Sequence, residues 1–280
     1  MTDQRPYVGR FAPTPSGPLH FGSMVAAVGS WLDARAHAGQ WHVRIDDLDG
    51  PRVAPGSIDS ILKTLERFEL EWDGEVLYQS DRSDAYDEAL SALVDSQLTF
   101  PCACTRKQLS GQRIYPGTCK GSSDVEPRWV RFAVETGAVA WEDRGLGTMS
   151  MDLVSEVGDI ALRNPHGIYS YHLANVVDDM HLGITHVVRG ADLAPFTAVH
   201  LHLQRTLGGD EVRYHHLPLA LDDLGRKLSK QTQAPAVDDV PVSEILDAVF
   251  GHLGLPTVMP GSPSTMLAEA EAHWRNREGL

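Results

Sequence analysis

RFAPTPSGPLHFGS, residues 10–23, has the composition of a loop that leaves a buried strand and enters a helix. Its prolines stiffen the loop and keep it out of helical and sheet hydrogen bonding. Gly17 and Gly22 allow a ligand to approach the backbone closely. The helix is predicted to open near His20, where unpaired N–H groups and the positive end of the helix dipole favour an anion. The stretch therefore predicts a phosphate-binding loop.

Strand and helix patterns alternate on both sides of this loop. Residues 7–11 and 42–45 are predicted as buried strands around a helix that Gly39 ends, which makes a βαβ unit. A second helix is predicted from Ser57, a favourable N-cap. Further helices are predicted over 83–97 and 241–253, and returning strands over 186–188 and 212–219. This alternation predicts an α/β fold with a parallel, doubly wound sheet.

Two short motifs resemble those of a known enzyme class. PLHFGS in the loop and KLSKQ at residues 227–231 resemble the HIGH and KMSKS motifs of class I aminoacyl-tRNA synthetases. Residues 43–52, 171–193 and 216–231 are similar to the glutamyl branch of that class, and the resemblance runs over residues 7–235. It implies a class I synthetase-type Rossmann (HUP-like) sheet, a zinc-containing insertion domain and a short helical C-terminal tail.

The chain is accordingly expected to contain four segments. The first and second halves of the catalytic domain are predicted at residues 1–97 and 166–240, around an insertion at 98–165 that resembles an acceptor-stem-binding domain. Residues 241–280 are predicted to form a short helical tail, with no anticodon-binding domain.

Amino-acid activation joins a carboxylate to the α-phosphorus of ATP, so the site must align both reactants and stabilise charge on the phosphates. The resemblance implies that His20, Gly22 and Lys230 are catalytic. It implies that Lys227 and Ser229 join these three residues in binding ATP, which we expect to carry Mg²⁺. A histidine that only caps the loop is the structural alternative for His20.

Glutamate must be recognised by charge, because it carries two carboxylates and one ammonium group. The positions that match the glutamate pocket of the family are Arg10, Ala12, Thr14, Asp46, Tyr171 and Arg189. Asp46 departs from the family, in which glutamate is usual; a bridging water or a small backbone shift could replace the missing methylene. Taken without the resemblance, Asp46 and the acidic residues after it could also form a solvated loop or a divalent-metal patch.

The cysteines form a second candidate site. Cys102, Cys104 and Cys119 have a spacing that suits a tetrahedral zinc ion, but no histidine lies between His42 and His166 to complete it. The resemblance implies that Tyr115 is the fourth ligand of a structural zinc site. A metal-free loop with reduced cysteines is the alternative.

Composition restricts the partners and the compartment. The formal net charge is −14, which argues against loose electrostatic binding of nucleic acid. Residues 101–135 nevertheless contain six basic and three acidic residues, so an RNA partner is expected to meet the middle of the chain. The polar N-terminus, the odd number of cysteines and the lack of a long apolar run predict a cytoplasmic protein without membrane contact.

The short form of the chain resembles the glutamyl-queuosine tRNA(Asp) synthetase family. This resemblance implies an ATP-dependent glutamyl ligase that activates L-glutamate without tRNA and transfers it to the queuosine base at the wobble position of tRNA(Asp). We expect a monomer. The alternatives are a truncated glutamyl-tRNA synthetase that charges the 3′ end of tRNA(Glu), a HIGH-type ligase with a non-RNA acceptor, and a zinc-stabilised RNA-binding module without activity.

Overall fold

The computed structural model describes residues 5–122, 126–135, 137–220 and 237–280. The strands are β1 (Val8–Phe11), β2 (Gln40–Ile45), β3 (Leu77–Tyr78), β4 (Thr99–Cys102), β5 (Trp129–Phe132), β6 (Ala138–Asp143), β7 (Gly147–Asp152), β8 (Ile160–Arg163), β9 (His186–Gly190) and β10 (Arg213–Leu217). The α-helices are α1 (Phe21–Ala36), α2 (Ser57–Arg67), α3 (Ser83–Asp95), α4 (Leu153–Glu156), α5 (Tyr171–His181), α6 (Thr197–Thr206), α7 (Val242–His252) and α8 (Pro263–Glu278).

The centre of the protein is a parallel sheet with helices on both faces. β1 pairs with β2 and β2 with β3, while β9 pairs with β10, all in parallel. The two halves meet at β1 and β9, where the Thr185 N–H donates to the Val8 carbonyl at 2.9 Å. The Val8 N–H donates to the Thr185 hydroxyl, also at 2.9 Å, so a side chain replaces one ladder bond. The predicted α/β fold with a parallel sheet is confirmed.

Two apolar cores lie on the two faces of this sheet. One core contains α1, α2, α7 and α8 packed against β1 and β2, with Met24, Val28 and Leu32 of α1 fully buried. The other contains residues of α3, α5 and α6. Because both faces are covered, polar side chains of the strands are buried as well, among them Arg10, Arg44, Arg189 and His216.

The start of α2 differs in detail from the prediction. Its N-cap is Gly56, with a φ of 74°, and Ser57 is the first helical residue. The Ser57 hydroxyl instead donates to the Pro15 carbonyl at 2.5 Å. Ser57 therefore fastens the loop after β1 rather than capping its own helix.

The last forty or so residues fold back onto α1. α7 corresponds to the helix predicted at 241–253, and α8 follows it. Trp274 of α8 is fully buried, and its indole N–H donates to Asp33 of α1 at 2.9 Å. α8 lies within the tail that was predicted to be helical, but its own limits were not predicted, because only four of its residues, Met266, Leu267, Ala270 and Trp274, are buried.

A smaller antiparallel sheet is formed within the stretch that was predicted to be an insertion. Its order is β4-β5-β8. The β6–β7 hairpin from the same stretch pairs instead with β10, through Tyr214 and Asp143, and so extends the parallel sheet. The domain limits stay a prediction. In the described part of the chain, no helix has both the length and the apolar character needed to cross a bilayer.

Candidate active site and metal centre

A cavity of about 700 Å³ opens at the carboxyl ends of the parallel strands. Its walls come from the loop after β1, the start of α1, the end of β2, the start of α5 and the residues that follow β9 and β10. Ligands of open α/β sheets bind at this edge, where the loops that follow neighbouring strands diverge. The cavity is therefore the candidate active site.

The structure brings most of the predicted site residues together around this cavity. Those that line it are Arg10, Ala12, Thr14, His20, Gly22, Asp46, Tyr171 and Arg189. Lys227, Ser229 and Lys230 lie outside the described residues. The functional roles of all these residues stay predictions.

Backbone hydrogen bonds hold the proline-rich loop against the rest of the cavity wall. The Pro13 carbonyl accepts from the Asp46 N–H at 3.0 Å, and the Pro15 carbonyl accepts from the Ala54 N–H at 2.9 Å. Gly17 has a φ of 138°, which a residue with a side chain rarely adopts. The loop is thus fixed by its neighbours, although its prolines cannot donate hydrogen bonds.

His20 forms the junction between this loop and α1. It is the N-cap residue, and its Nδ1 accepts a hydrogen bond from the Ser23 N–H at 3.3 Å. The capping interaction fixes the imidazole at the cavity wall, beside the first N–H groups of the helix. The structural and catalytic interpretations of His20 are therefore compatible.

A buried ion-pair network supports the floor of the cavity. Arg44 is fully buried and donates to Asp46 and to Asp179, at 2.7 Å in both cases. Arg10 donates to Asp179 through Nε at 3.1 Å and through Nη2 at 3.4 Å. Burial alone would raise the pKa of Asp179, but the guanidinium groups of Arg10 and Arg44 hold it below its usual value. Asp179 therefore remains ionised and orients Arg10.

Asp178 extends this network beneath the cavity. Its carboxylate is fully buried and accepts from Gln79, Arg82 and Tyr86, each at 2.8 Å. Together with Arg10, Arg44, Asp46 and Asp179, this gives three arginines and three aspartates, whose charges balance. Balanced formal charges and the hydrogen bonds among these groups make the burial of so many ionisable side chains tolerable.

Arg189 differs from Arg10 in its partners. It is buried and donates to the His216 ring, the His200 ring, the Leu193 carbonyl and the Thr197 hydroxyl, at 2.9–3.3 Å. None of these acceptors is a carboxylate, and Arg189 forms no ion pair with any described residue. Arg189 therefore has no carboxylate in direct contact among the described residues, at a position that faces the cavity, although its charge helps to lower the pKa of Asp179.

The two imidazoles that accept from Arg189 are neutral. Burial lowers the pKa of His200 well below its usual value, and burial also lowers that of His216 even though Asp143 opposes the shift. Because Arg189 donates to Nε2 of His216, the proton of this ring lies on Nδ1, which donates to the Asp143 carboxylate. Asp143 thereby selects the tautomer that can accept from Arg189.

Sequence reasoning missed several polar residues of this site. Arg44, Asp178 and Asp179 were not singled out, although they lie in the VRIDDLD and YHLANVVDDM stretches that carry the family resemblance. A usable signal exists in α5, because Tyr171, Asn175 and Asp179 recur every four residues and so share one helix face. His216 and Asp143 are distant in sequence, and no pattern joins them.

The three cysteines form a second cluster, next to the β4-β5-β8 sheet. The sulfur atoms of Cys102, Cys104 and Cys119 all lie within 4.8 Å of one another, and all three residues are buried. The Tyr115 hydroxyl lies 3.9 Å from Cys104 Sγ and accepts from the Cys119 N–H at 2.8 Å. Three converging sulfurs fit part of the donor set of a tetrahedral zinc site, and the phenolic oxygen of Tyr115 lies beside them.

The surroundings of this cluster act differently on its members, because burial raises the pKa of the Cys104 thiol and that of the Tyr115 hydroxyl. Hydrogen bonding from Tyr115 lowers the pKa of the Cys119 thiol to about 7. The guanidinium of Arg131 lies over the Tyr115 ring, 3.9 Å from its centre, and fixes its orientation. The three cysteines therefore fit a metal site, and Tyr115 as the fourth ligand stays a prediction.

The sequence matches a known family of catalytic domains. Residues 7–119 and 117–248 match the family described as tRNA synthetases class I (E and Q), catalytic domain. The chain is 47% identical to the glutamyl-Q tRNA(Asp) synthetase of Dechloromonas aromatica (strain RCB), over 96% of this chain and 94% of that protein. It is 44% identical to the protein of the same name from Pseudomonas putida (strain W619), over 98% of this chain and 95% of that protein.

Solved structures of longer proteins share the fold. A glutamate tRNA ligase from Elizabethkingia meningosepticum, in complex with its amino acid, matches with a TM-score of 0.73 and 28% identity over 84% of this chain. This chain spans 53% of that ligase. The glutamate-tRNA synthetase from Elizabethkingia anophelis matches with a TM-score of 0.79 and 24% identity, over 99% of this chain and 71% of that one.

Proposed function

The chain belongs to the glutamyl-Q tRNA(Asp) synthetase family of class I synthetases, and we propose that its large cavity activates L-glutamate with ATP. The enzyme is an ATP-dependent ligase of the synthetase type. In the proposed reaction the glutamate carboxylate attacks the α-phosphorus, pyrophosphate leaves, and glutamyl-adenylate forms without tRNA. The glutamyl group then passes to the queuosine base of tRNA(Asp) as AMP leaves.

The observation that carries this proposal is that Arg189, at the cavity wall, has no described carboxylate in direct contact with its guanidinium. Its four hydrogen bonds go to neutral acceptors, which fix the guanidinium without cancelling its charge. A buried cation without a carboxylate partner is costly unless an anion completes the site. A substrate carboxylate supplies that anion.

Arg10 supports recognition of a second carboxylate. It uses two of its five N–H groups on Asp179, and its Nη1 group makes no hydrogen bond to any described residue. Two arginines at one cavity suit a dicarboxylic amino acid better than a neutral one. Asp46 and Tyr171 line the same cavity and are proposed to meet the ammonium group and the side chain of glutamate.

The nucleotide is proposed to bind at the start of α1. His20 and Gly22 line the cavity at the N-terminus of this helix, where the positive end of the helix dipole favours the phosphates of ATP. Lys227, Ser229 and Lys230 are proposed from the sequence to meet the same phosphates. Mg²⁺ is proposed to accompany ATP and to neutralise part of its charge.

Zinc is proposed to have a structural role. Cys102, Cys104, Tyr115 and Cys119 would hold the ion and leave no open coordination position. A bound ion would cross-link the residues that follow β4 and position the loop between β4 and β5. No step of the reaction is assigned to it.

The proposal is tested by the transfer of labelled glutamate in the presence of ATP. The tRNA substrates are a native pool that contains queuosine and an otherwise identical pool that lacks it. We expect label on tRNA(Asp) in the first pool alone. Glutamate-dependent exchange of pyrophosphate into ATP is measured in the absence of all tRNA. We expect this exchange to proceed.

Two other outcomes would redirect the assignment. Equal labelling of both pools, on the 3′ end of tRNA(Glu), would identify a truncated glutamyl-tRNA synthetase. Pyrophosphate exchange with glutamate but no labelling of either pool would indicate a ligase with a different acceptor. The relatives named above favour the queuosine-containing acceptor.

A further inference from the structure

A second cavity, of about 370 Å³, lies at one edge of the small antiparallel sheet. Its walls come from the turn after β4, the start of β5 and the turn after β8, and include Arg106, Lys107, Arg128, Trp129 and His166. None of the residues that line it is acidic. This composition separates it from the large cavity, which is lined by carboxylates and arginines.

The basic side chains around this cavity have no hydrogen-bond or ion-pair partner in the described part of the chain. Arg106, Lys107 and Arg128 are exposed, and none of them makes a side-chain hydrogen bond or ion pair with a described residue. Most other arginines of the described protein are paired, for example Arg35 with Asp73 and Arg205 with Glu211. Three cations that have no partner among the described residues lie in one place and concentrate positive potential on a chain whose formal net charge is −14.

Trp129 provides an aromatic wall within this cationic group. It is half-buried, and its indole N–H donates to the Cys104 carbonyl at 2.8 Å. The ring is therefore held in place by the same loop that carries the candidate metal ligands. A fixed, partly exposed indole between cations is suited to stacking with a nucleobase.

We propose that this second cavity is a docking site for a single-stranded segment of the tRNA substrate. Arg106, Lys107 and Arg128 contact its phosphates, and one base stacks on Trp129. The site rests on the proposed function for the identity of its RNA. RNA is favoured over an acidic peptide because an aromatic wall adds to affinity for unstacked bases, whereas an acidic peptide needs only the cations.

The first test measures binding of native, queuosine-containing tRNA(Asp) to the full chain, without ATP or glutamate. Arg106→Ala/Lys107→Ala is expected to weaken binding at least tenfold. The plot of log affinity against log salt concentration should also become less steep, by about 1.4 for two single-stranded phosphate contacts. Lys63→Ala is the matched control, because Lys63 is an exposed cation on α2. The affinity of this variant for tRNA should be unchanged.

The second test separates stacking from charge. Trp129→Leu is expected to weaken tRNA binding at least fivefold with an unchanged salt slope, and Trp129→Phe to recover most of the affinity. Zinc content and thermal melting are measured on both variants, because Trp129 contacts the loop of Cys104. Equal loss of affinity in Leu and Phe variants of normal zinc content would overturn the stacking role.

The proposal fails if Arg106→Ala/Lys107→Ala binds tRNA with the affinity and salt slope of the parent protein. Its failure is distinguishable from that of the proposed function. Pyrophosphate exchange takes place in the large cavity without tRNA, and we expect it to stay within about twofold in these variants. A parent protein that activates glutamate and binds tRNA through this site, but labels no queuosine, would contradict only the proposed acceptor.

Discussion

Arg189 donates a hydrogen bond from Nε to Nε2 of His216, at 3.1 Å, and His216 is held from its other side by Asp143. The Asp143 carboxylate also accepts from the N–H groups of Gly145 and Leu146, so the turn between β6 and β7 fixes its position. A chain of contacts thus runs from this turn through the His216 imidazole to the cavity. His216 is a positioning residue for Arg189 rather than a group that meets substrate.

Replacing His216 should impair glutamate binding selectively. In His216→Leu the buried Nε–H of Arg189 loses its acceptor, at a cost of about 1–3 kcal/mol. We expect the KM for glutamate in pyrophosphate exchange to rise roughly tenfold or more, with the KM for ATP nearly unchanged. His202→Leu, at a half-buried histidine that does not line the cavity, serves as the control. Equal increases in both KM values would contradict the positioning role.

Asp46 offers a test of how the ammonium group is recognised. Its carboxylate lines the cavity while accepting from Arg44 at 2.7 Å, and Asp46→Asn removes the charge with little change in volume. We expect the KM for glutamate to increase about tenfold or more, because one charge-assisted hydrogen bond contributes roughly 1.5–3 kcal/mol. Asp47→Asn is the adjacent control, since Asp47 accepts from Ser80 at 2.8 Å and does not line the cavity.

Glutamate, the residue usual in the family at this position, provides a second variant. If the missing methylene limits affinity, Asp46→Glu should lower the KM for glutamate below that of the parent protein. An increase in KM would instead show that the pair with Arg44 has adapted to the shorter side chain. Either result bears on the affinity for glutamate and leaves its identity as the substrate untouched.

Asp33 should make stability depend on pH. It is fully buried in α1 and accepts hydrogen bonds from Tyr7, Arg144 and Trp274. Burial alone would raise its pKa, but the Arg144 guanidinium and the hydrogen bonds hold it below the usual value. A carboxyl group with a lowered pKa in the folded state stabilises the protein above its unfolded-state pKa, about 3.9. That stabilisation is lost as the pH falls through the folded-state value.

Asp33→Asn is therefore expected to lower the free energy of unfolding at pH 7 by about 3 kcal/mol. It should also make the remaining stability less sensitive to pH below about 4, where the parent protein loses stability. Urea unfolding between pH 3 and pH 7 checks both effects. Asp84→Asn, at an exposed position of α3, should change the unfolding free energy by less than about 0.5 kcal/mol.

Local sequence patterns were sufficient to predict the parallel sheet and the loop after β1. The predicted strand at 42–45 and helix at 241–253 correspond to β2 and α7, because buried strands and amphipathic helices have regular spacing. The loop was recognisable from its own prolines and glycines, and the residues that match the family's glutamate pocket line the cavity that it borders.

The contacts between buried polar residues could not be predicted from local sequence patterns. Arg44 meets Asp179 and Trp274 meets Asp33 across long separations in sequence, and nothing local distinguishes these residues from surface charges or an ordinary apolar side chain. Burial determines their roles, and burial of polar groups depends on the tertiary fold. The relation between His216 and Arg189 is of the same kind.

The role proposed for Tyr115 can be separated from that of the cysteines. Cys102→Ser should reduce both zinc content and melting temperature, because it removes one of the sulfur donors of the buried cluster. Tyr115→Phe keeps the ring beneath the Arg131 guanidinium and removes only the hydroxyl. If the phenolic oxygen is a ligand, zinc should still bind to Tyr115→Phe, but a much lower chelator concentration should remove it than is needed for the parent protein.

Phe100→Leu, at a neighbouring ring of the same core, controls for packing. Unchanged chelator resistance in Tyr115→Phe would mean that the fourth donor is not Tyr115, whereas a parent protein without zinc by elemental analysis would refute the metal site itself.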